Sequence, residues 1–178
     1  MFNIKYIQAD GEADLLCSKL NKLGIVDMVM SEDMDILTSG GSILLRDFIV
    51  SNNKITKIDL NVILQKLNFT YEQWVDFCIL CGCDYLKRIP GVGPKCAFKK
   101  ISLKNLDSIS VIDDIINNQK NKNKDVDSDY KTKFIKAKHI FMDVDNVNLE
   151  NYKTYIEDKA ELYDLSLIHI SEPTRRRT

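Results

Sequence analysis

Apolar residues in this chain alternate between helical spacing and short unbroken runs, the signature of mixed helix and strand. Leu15, Leu16, Leu20 and Leu23 make the stripe of a first helix, which starts within Ala9–Asp14 and stops at Gly24. The valine- and methionine-rich run Val26–Met30 reads as a buried strand, and it feeds straight into Glu32, Asp33 and Asp35. Phe2–Ile7 is a short candidate strand. Beyond the Gly40-Gly41 turn, Ile43, Leu44, Leu45 and Phe48 predict a strand over Ser42–Phe48. Ser51–Lys54 reads as a hairpin-like turn and Ile55–Ile58 as the return strand. Asp59 caps a helix through Val62, Ile63, Leu64 and Leu67. Thr70 and Gln73 form a capping box for a buried helix, Tyr71–Leu80. One or two short helices follow in Leu103–Asn117, another over Tyr130–Met142, and a weak one near Tyr152–Tyr163. This order predicts an α/β fold, a central mostly parallel sheet flanked by helices.

Composition adds little until it is divided along the chain. The 178 residues, 44% hydrophobic and 29% charged, suffice for one domain with a real core. No apolar run approaches the ~20 residues that span a bilayer, so no membrane partner is expected. Met1–Lys5 lacks the apolar segment of a signal peptide, and the five cysteines then read as reduced thiols inside a cell. The net charge of −1 hides an asymmetry: Met1–Tyr85 carries 7 basic and 12 acidic residues, Leu86–His139 carries 13 and 6. An acidic front beside a basic middle suits a metal site next to a polyanion-binding surface. The expected division is 1–85, an acidic core; 86–142, a basic region with a low-complexity insertion near 117–129; 143–165, an acidic helical tail; and 166–178, an artefactual or disordered end closing on Arg175-Arg176-Arg177.

The acids carry the chemistry. Asp33 and Asp35 lie two apart, so on an extended strand end both would face one way. Carboxylates held together repel unless a cation offsets them, and Mg²⁺ prefers oxygen ligands. Glu12 and Asp14 supply a second pair at a helix start, where acids also favour the helix dipole. Cys78, Cys81 and Cys83 contain half of a zinc pattern, with no second pair to match; small buried hydrophobes are the competing reading. Gly91 and Gly93 bare their backbone amides before Pro94, a residue suited to the first helical position. With Val92 between them and Lys95, Lys99 and Lys100 on the helix that follows, this hairpin reads as an anion cradle that grips a nucleic-acid backbone without reading bases. A tight turn between helices, without a ligand, is the alternative.

Taken in order, Ala9–Asp14, Ser31–Asp35, Gln73–Tyr85 and Ile89–Lys95 resemble the internal region of the flap-endonuclease/XPG family of structure-specific 5′ nucleases, over roughly Tyr6–Ile101. The resemblance implies a PIN-like core with a helix-two-turn-helix element. It implies hydrolysis of DNA phosphodiesters in replication and repair, with two Mg²⁺ ions, for which Mn²⁺ can substitute. Glu12, Asp14, Asp33, Asp35 and Asp84 would be catalytic metal ligands. Gly91, Val92, Gly93, Lys95, Lys99 and Lys100 would grip DNA, with a K⁺ ion at the hairpin. Branched or flapped duplex DNA is the implied substrate, and a sliding clamp, held through a region outside this sequence, an implied partner. The nucleus, or a viral or host replication site, is the implied location.

Two residues depart from the family pattern. Asp14 stands where the family usually has Glu, and Arg88 replaces a small residue in the potassium-binding turn. The family also has an N-terminal region with further aspartates, so the chain is expected to be a fragment, inactive in isolation. A non-catalytic helix-hairpin-helix DNA-binding module is the leading alternative. A metal-dependent phosphatase using Asp33 and Asp35 is disfavoured by Leu37, where that chemistry wants Thr or Val.

Overall fold

A computed structural model describes residues 7–49, 54–102, 108–121 and 125–150. Residues 11–147 form one compact unit, and the site lies within it. The elements are α1 (Ala13–Lys22), β1 (Val29–Met30), α2 (Asp35–Thr38), β2 (Ile43–Ile49), β3 (Lys54–Asp59), α3 (Leu60–Leu67), α4 (Tyr71–Cys81), α5 (Pro94–Ile101), α6 (Ser108–Lys120), α7 (Tyr130–Met142) and a closing 3₁₀ turn, Asp143–Asn146. The expected strand at Phe2–Ile7, the turn at Ser51–Asn53 and the weak helix near Tyr152–Tyr163 lie outside the described residues, apart from Ile7.

The fold is α/β, and its described sheet is mixed rather than mostly parallel. The order is β1-β2-β3; β1 runs parallel to β2, and β2 antiparallel to β3. The strand expected over Val26–Met30 shrinks to two residues. Val29 is buried, while Met28 and Met30, pointing to the other face of the strand, are 44% and 60% exposed. The β2–β3 register breaks between Arg46 and Ile49, where Asp47 takes a left-handed φ of 55°. This is a bulge, which bends and twists the strand locally.

Local signals set most helix ends. The Asp59 carboxylate accepts from the backbone N–H groups of Asn61 and Val62 and starts α3. Thr70 and Gln73 form the full capping box of α4. Pro94 occupies the first position of α5, behind Gly93. Helix α6 runs on through Lys120, so the Asn/Lys-rich stretch begins as helix.

Helix α4 is shared by two cores. Trp74 packs with Val29, Ile36, Leu37, Leu44 and Leu60 beside the sheet. Val75, Ile79 and Leu80 pack instead with Val92, Ala97 and Ile101 of the hairpin region and with Ile112, Ile115, Phe134 and Phe141 of α6 and α7. A single helix therefore carries the sheet on one side and the hairpin on the other.

Candidate active site

Three separate stretches bring acids to one cleft of about 260 Å³. Glu12 and Asp14 come from the start of α1, Asp33 and Asp35 from the β1–α2 junction, and Asp84 from the turn after α4. Ser39, Tyr85 and Phe141 complete its polar and aromatic lining, and among the described residues no Lys, Arg or His lines it.

Buried polar groups hold these stretches in place. The Ser18 hydroxyl reaches the carbonyls of Asp14 (2.7 Å) and Ile36 (3.1 Å), tying the two acid-bearing helix starts together. The Asn21 amide donates to the carbonyls of Val26 and Asp27, both at 3.0 Å, and accepts from the N–H groups of Ser42 and Ile43 at 2.6 and 2.9 Å. All its hydrogen-bonding capacity is thus used on backbone flanking β1 and β2. From α4, Trp74 Nε1 donates to the Leu37 carbonyl (3.3 Å) and the Tyr71 hydroxyl to that of Thr38 (2.8 Å), fixing the end of α2.

The acids take distinct local roles. Asp33 does not extend a strand with Asp35. Its carboxylate accepts from the Asp35 N–H at 2.8 Å in a side-chain turn that opens α2. Glu32 is turned to the β2 bulge, where it accepts from the Asp47 N–H at 3.0 Å and pairs with Arg46 at 3.6 Å. Glu12 precedes α1 without capping it. Instead it accepts a hydrogen bond from the Tyr85 hydroxyl, whose ring rests edge-on against Phe141, 5.3 Å between centroids.

Burial and crowding of charge converge on Asp35. Burial, then the charges of Asp33, Asp84, Asp14 and Glu12, push its carboxyl up to about 6. Asp14 is raised too, by burial and then by Asp33 and Glu12. The Tyr85 hydroxyl is pushed up by burial and by its bond to Glu12, so it stays a proton donor. The donors suit a hard cation, being oxygens with unoffset negative charge. Among the described residues, though, no three His, Cys, Asp or Glu side chains converge closely enough to be one ion's ligands.

Cys78, Cys81 and Cys83 are free, half-buried thiols packed against the two cores. Burial first pushes Cys78 up to about 12 and raises the other two.

At the hairpin, Gly91 takes a φ of 84°, and an added Cβ would lie 3.2 Å from Gln119 Oε1. Val92 is 1% exposed and anchors the turn, while Gly93 is open above its backbone. Lys95 and Lys99 are exposed; Lys100 is half-buried and engaged by Asp114, which holds that carboxyl below its usual range.

Sequence reasoning named the five acids but missed Ser18, Asn21 and the Tyr85–Glu12 bond. Tyr85 and Glu12 lie 73 positions apart, which left no local signal for that bond. Polar residues at buried helical positions, Ser18 and Asn21, were the available clue.

The chain thus joins an acid-lined cleft at the start of α1 and α2 to a glycine hairpin at the start of α5. Residues 3–84 match the XPG I-region, so over that stretch the chain is a member of the XPG I-region family. It is 45% identical over 102 residues to a flap endonuclease 1 homologue of Danio rerio, covering 57% of this chain and 29% of that protein. The human GEN1 structure in complex with Holliday junction DNA is 32% identical, with a TM-score of 0.55, over 67% of this chain and 33% of that one. The catalytic core of Rad2 in complex with DNA shares the fold at a TM-score of 0.65 and 22% identity, over 79% of this chain and 50% of that one. The chain spans 15–43% of the length of the curated relatives it matches. Among the described residues no helix is long and apolar enough to cross a membrane.

Proposed function

We propose that this chain is the metal-ligating and duplex-gripping part of a divalent-metal-dependent 5′ nuclease, acting on flapped or branched DNA in replication or repair. The observation that carries the reading is the cleft of five carboxylates with no basic side chain in its lining among the described residues. Glu12, Asp14, Asp33, Asp35 and Asp84 are the residues that would hold two Mg²⁺ or Mn²⁺ ions. When bound, such ions supply an activated water and stabilise the leaving oxygen of a phosphodiester.

The chain's own residues do the rest. Burial, then the neighbouring acids, raise the Asp35 carboxyl, so a cation held there would compete with its proton. The Tyr85 hydroxyl orients Glu12. Gly91 and Gly93 present backbone to a phosphate at the start of α5, with buried Val92 anchoring the turn and Lys95 and Lys99 beside it, so grip comes without base contacts. Lys100 joins them only after leaving Asp114. Potassium at the hairpin would have to coexist with Arg88. The acidic and basic halves are functional divisions of one compact unit. Work on DNA places the protein in the nucleus of a eukaryote or at a viral replication site, where a sliding clamp is a fitting partner.

The test is cleavage of a labelled 5′-flap duplex in Mg²⁺ or Mn²⁺, with Mn²⁺ binding followed by electron paramagnetic resonance. We expect Mn²⁺ binding by the 178-residue chain and cleavage by a form as long as its relatives, both abolished in Asp33→Asn. Duplex binding with neither metal binding nor cleavage would favour the non-catalytic binding module.

A further inference from the structure

A second, larger groove of about 560 Å³ adjoins the acidic cleft, with Asp84 and Tyr85 lining both. One wall is Leu86–Pro90, the link between the acid-bearing turn and the Gly91 hairpin; Asp125, Asp127, Tyr130 and Lys133 contribute the other. The link is rigid. Cys83 and Leu86 exchange backbone hydrogen bonds of 3.0 and 3.2 Å, the Val92 N–H donates to the Ile89 carbonyl at 3.0 Å, and Leu86 and Ile89 are buried.

Lys87 and Arg88 stand exposed on this link. Across the groove, Lys133 is neutralised by Asp127. Lys87 and Arg88 have no ion pair among the described residues. Two unoffset cations therefore sit on a fixed span between acids that repel an anion and a hairpin that attracts one. A polyanion that reaches from one to the other has to pass them.

We propose that this groove seats the sugar-phosphate backbone of the bound nucleic acid, with Lys87 and Arg88 each contacting a phosphate between the acidic cleft and the hairpin. The proposal rests on the nuclease reading above and adds positioning residues to it. Arg88 can meet a phosphate through two parallel N–H donors, Lys87 as a point charge. Asp125, on the opposite wall, opposes the seat.

Counterion release makes the contacts countable. Each phosphate contact adds about 0.9 to the slope of log affinity against log salt on duplex DNA. Binding of a fluorescent duplex, followed by anisotropy between 50 and 200 mM NaCl in EDTA, would compare the chain with Lys87→Gln/Arg88→Gln. The expected fall in slope is about 1.8. Arg88→Lys should keep the slope, and Asp125→Asn should tighten binding. Lys95→Gln/Lys99→Gln is the reference for the hairpin. An unchanged slope in the Lys87/Arg88 variant, with a fall in the hairpin variant, overturns the groove and leaves the nuclease reading standing. Failure of the unaltered chain to bind duplex at any salt overturns both.

Discussion

The acidic cleft and the glycine hairpin sit on either side of α4, and they are held by opposite means. The cleft is fixed by buried polar groups: Ser18, Asn21 and the donors of Trp74 and Tyr71 all bind backbone carbonyls or amides next to the acids. The hairpin is fixed by apolar burial: Val92, Ala97 and Ile101 are 0–4% exposed, while Lys95 and Lys99 stand in solvent. Directional bonds fix several backbone segments at set distances, which acids that repel one another require. Non-directional packing is enough where one short turn must only be presented.

The sharpest way to break this contrast is Asn21→Ala. It strips partners from two carbonyls and two N–H groups, and we expect a loss of about 3 kcal/mol in urea unfolding. A loss below about 1 kcal/mol would mean that apolar packing holds the cleft as it holds the hairpin.

Asp35→Asn comes next and has the opposite sign. Because the folded carboxyl is raised to about 6 from its ordinary 3.8, the folded state binds the extra proton between those values. Stability of the metal-free chain therefore falls as pH rises through that window. After discounting for solvent screening, the Asn variant should gain about 1–2 kcal/mol at pH 7. The gain should vanish below about pH 4, where the native carboxyl is protonated in both states. Thermal unfolding at pH 4 and pH 7 checks it.

Lys99→Gln is the smallest effect. The side chain is exposed and unpaired among the described residues, so stability should stay within about 0.5 kcal/mol while duplex affinity falls. Calorimetry and anisotropy on one sample would show the two readings part.

What could be read from the sequence follows the range of the signal. The Asp59 cap, the Thr70–Gln73 box, Pro94 and the helix Tyr130–Met142 are decided within a few residues, and the structure has them as expected. The five acids could be named because the ordered motifs matched a family. How they meet could not. Asp33 and Asp35 do not share a strand face, because Asp33 spends its carboxylate on starting α2. Glu32 is absent from the cleft because a bulge on β2 claims it, which no pattern around residue 32 records. The return strand expected at Ile55–Ile58 does pair antiparallel with β2, so the described sheet is mixed; only β1 and β2 run parallel, as a mostly parallel sheet would have them.

Asn21 also ties events together in time. Its one amide grips the chain entering β1 and the chain entering β2, so α1 cannot fray at its C-terminal end while both strand starts stay closed. The end of α1, the β1 approach and the first residues of β2 open as one cooperative unit. In hydrogen exchange, the amides of Ser42 and Ile43 then trade their protons at the rate set by a helix that ends 20 residues earlier, which makes them reporters of how often the acidic cleft comes apart.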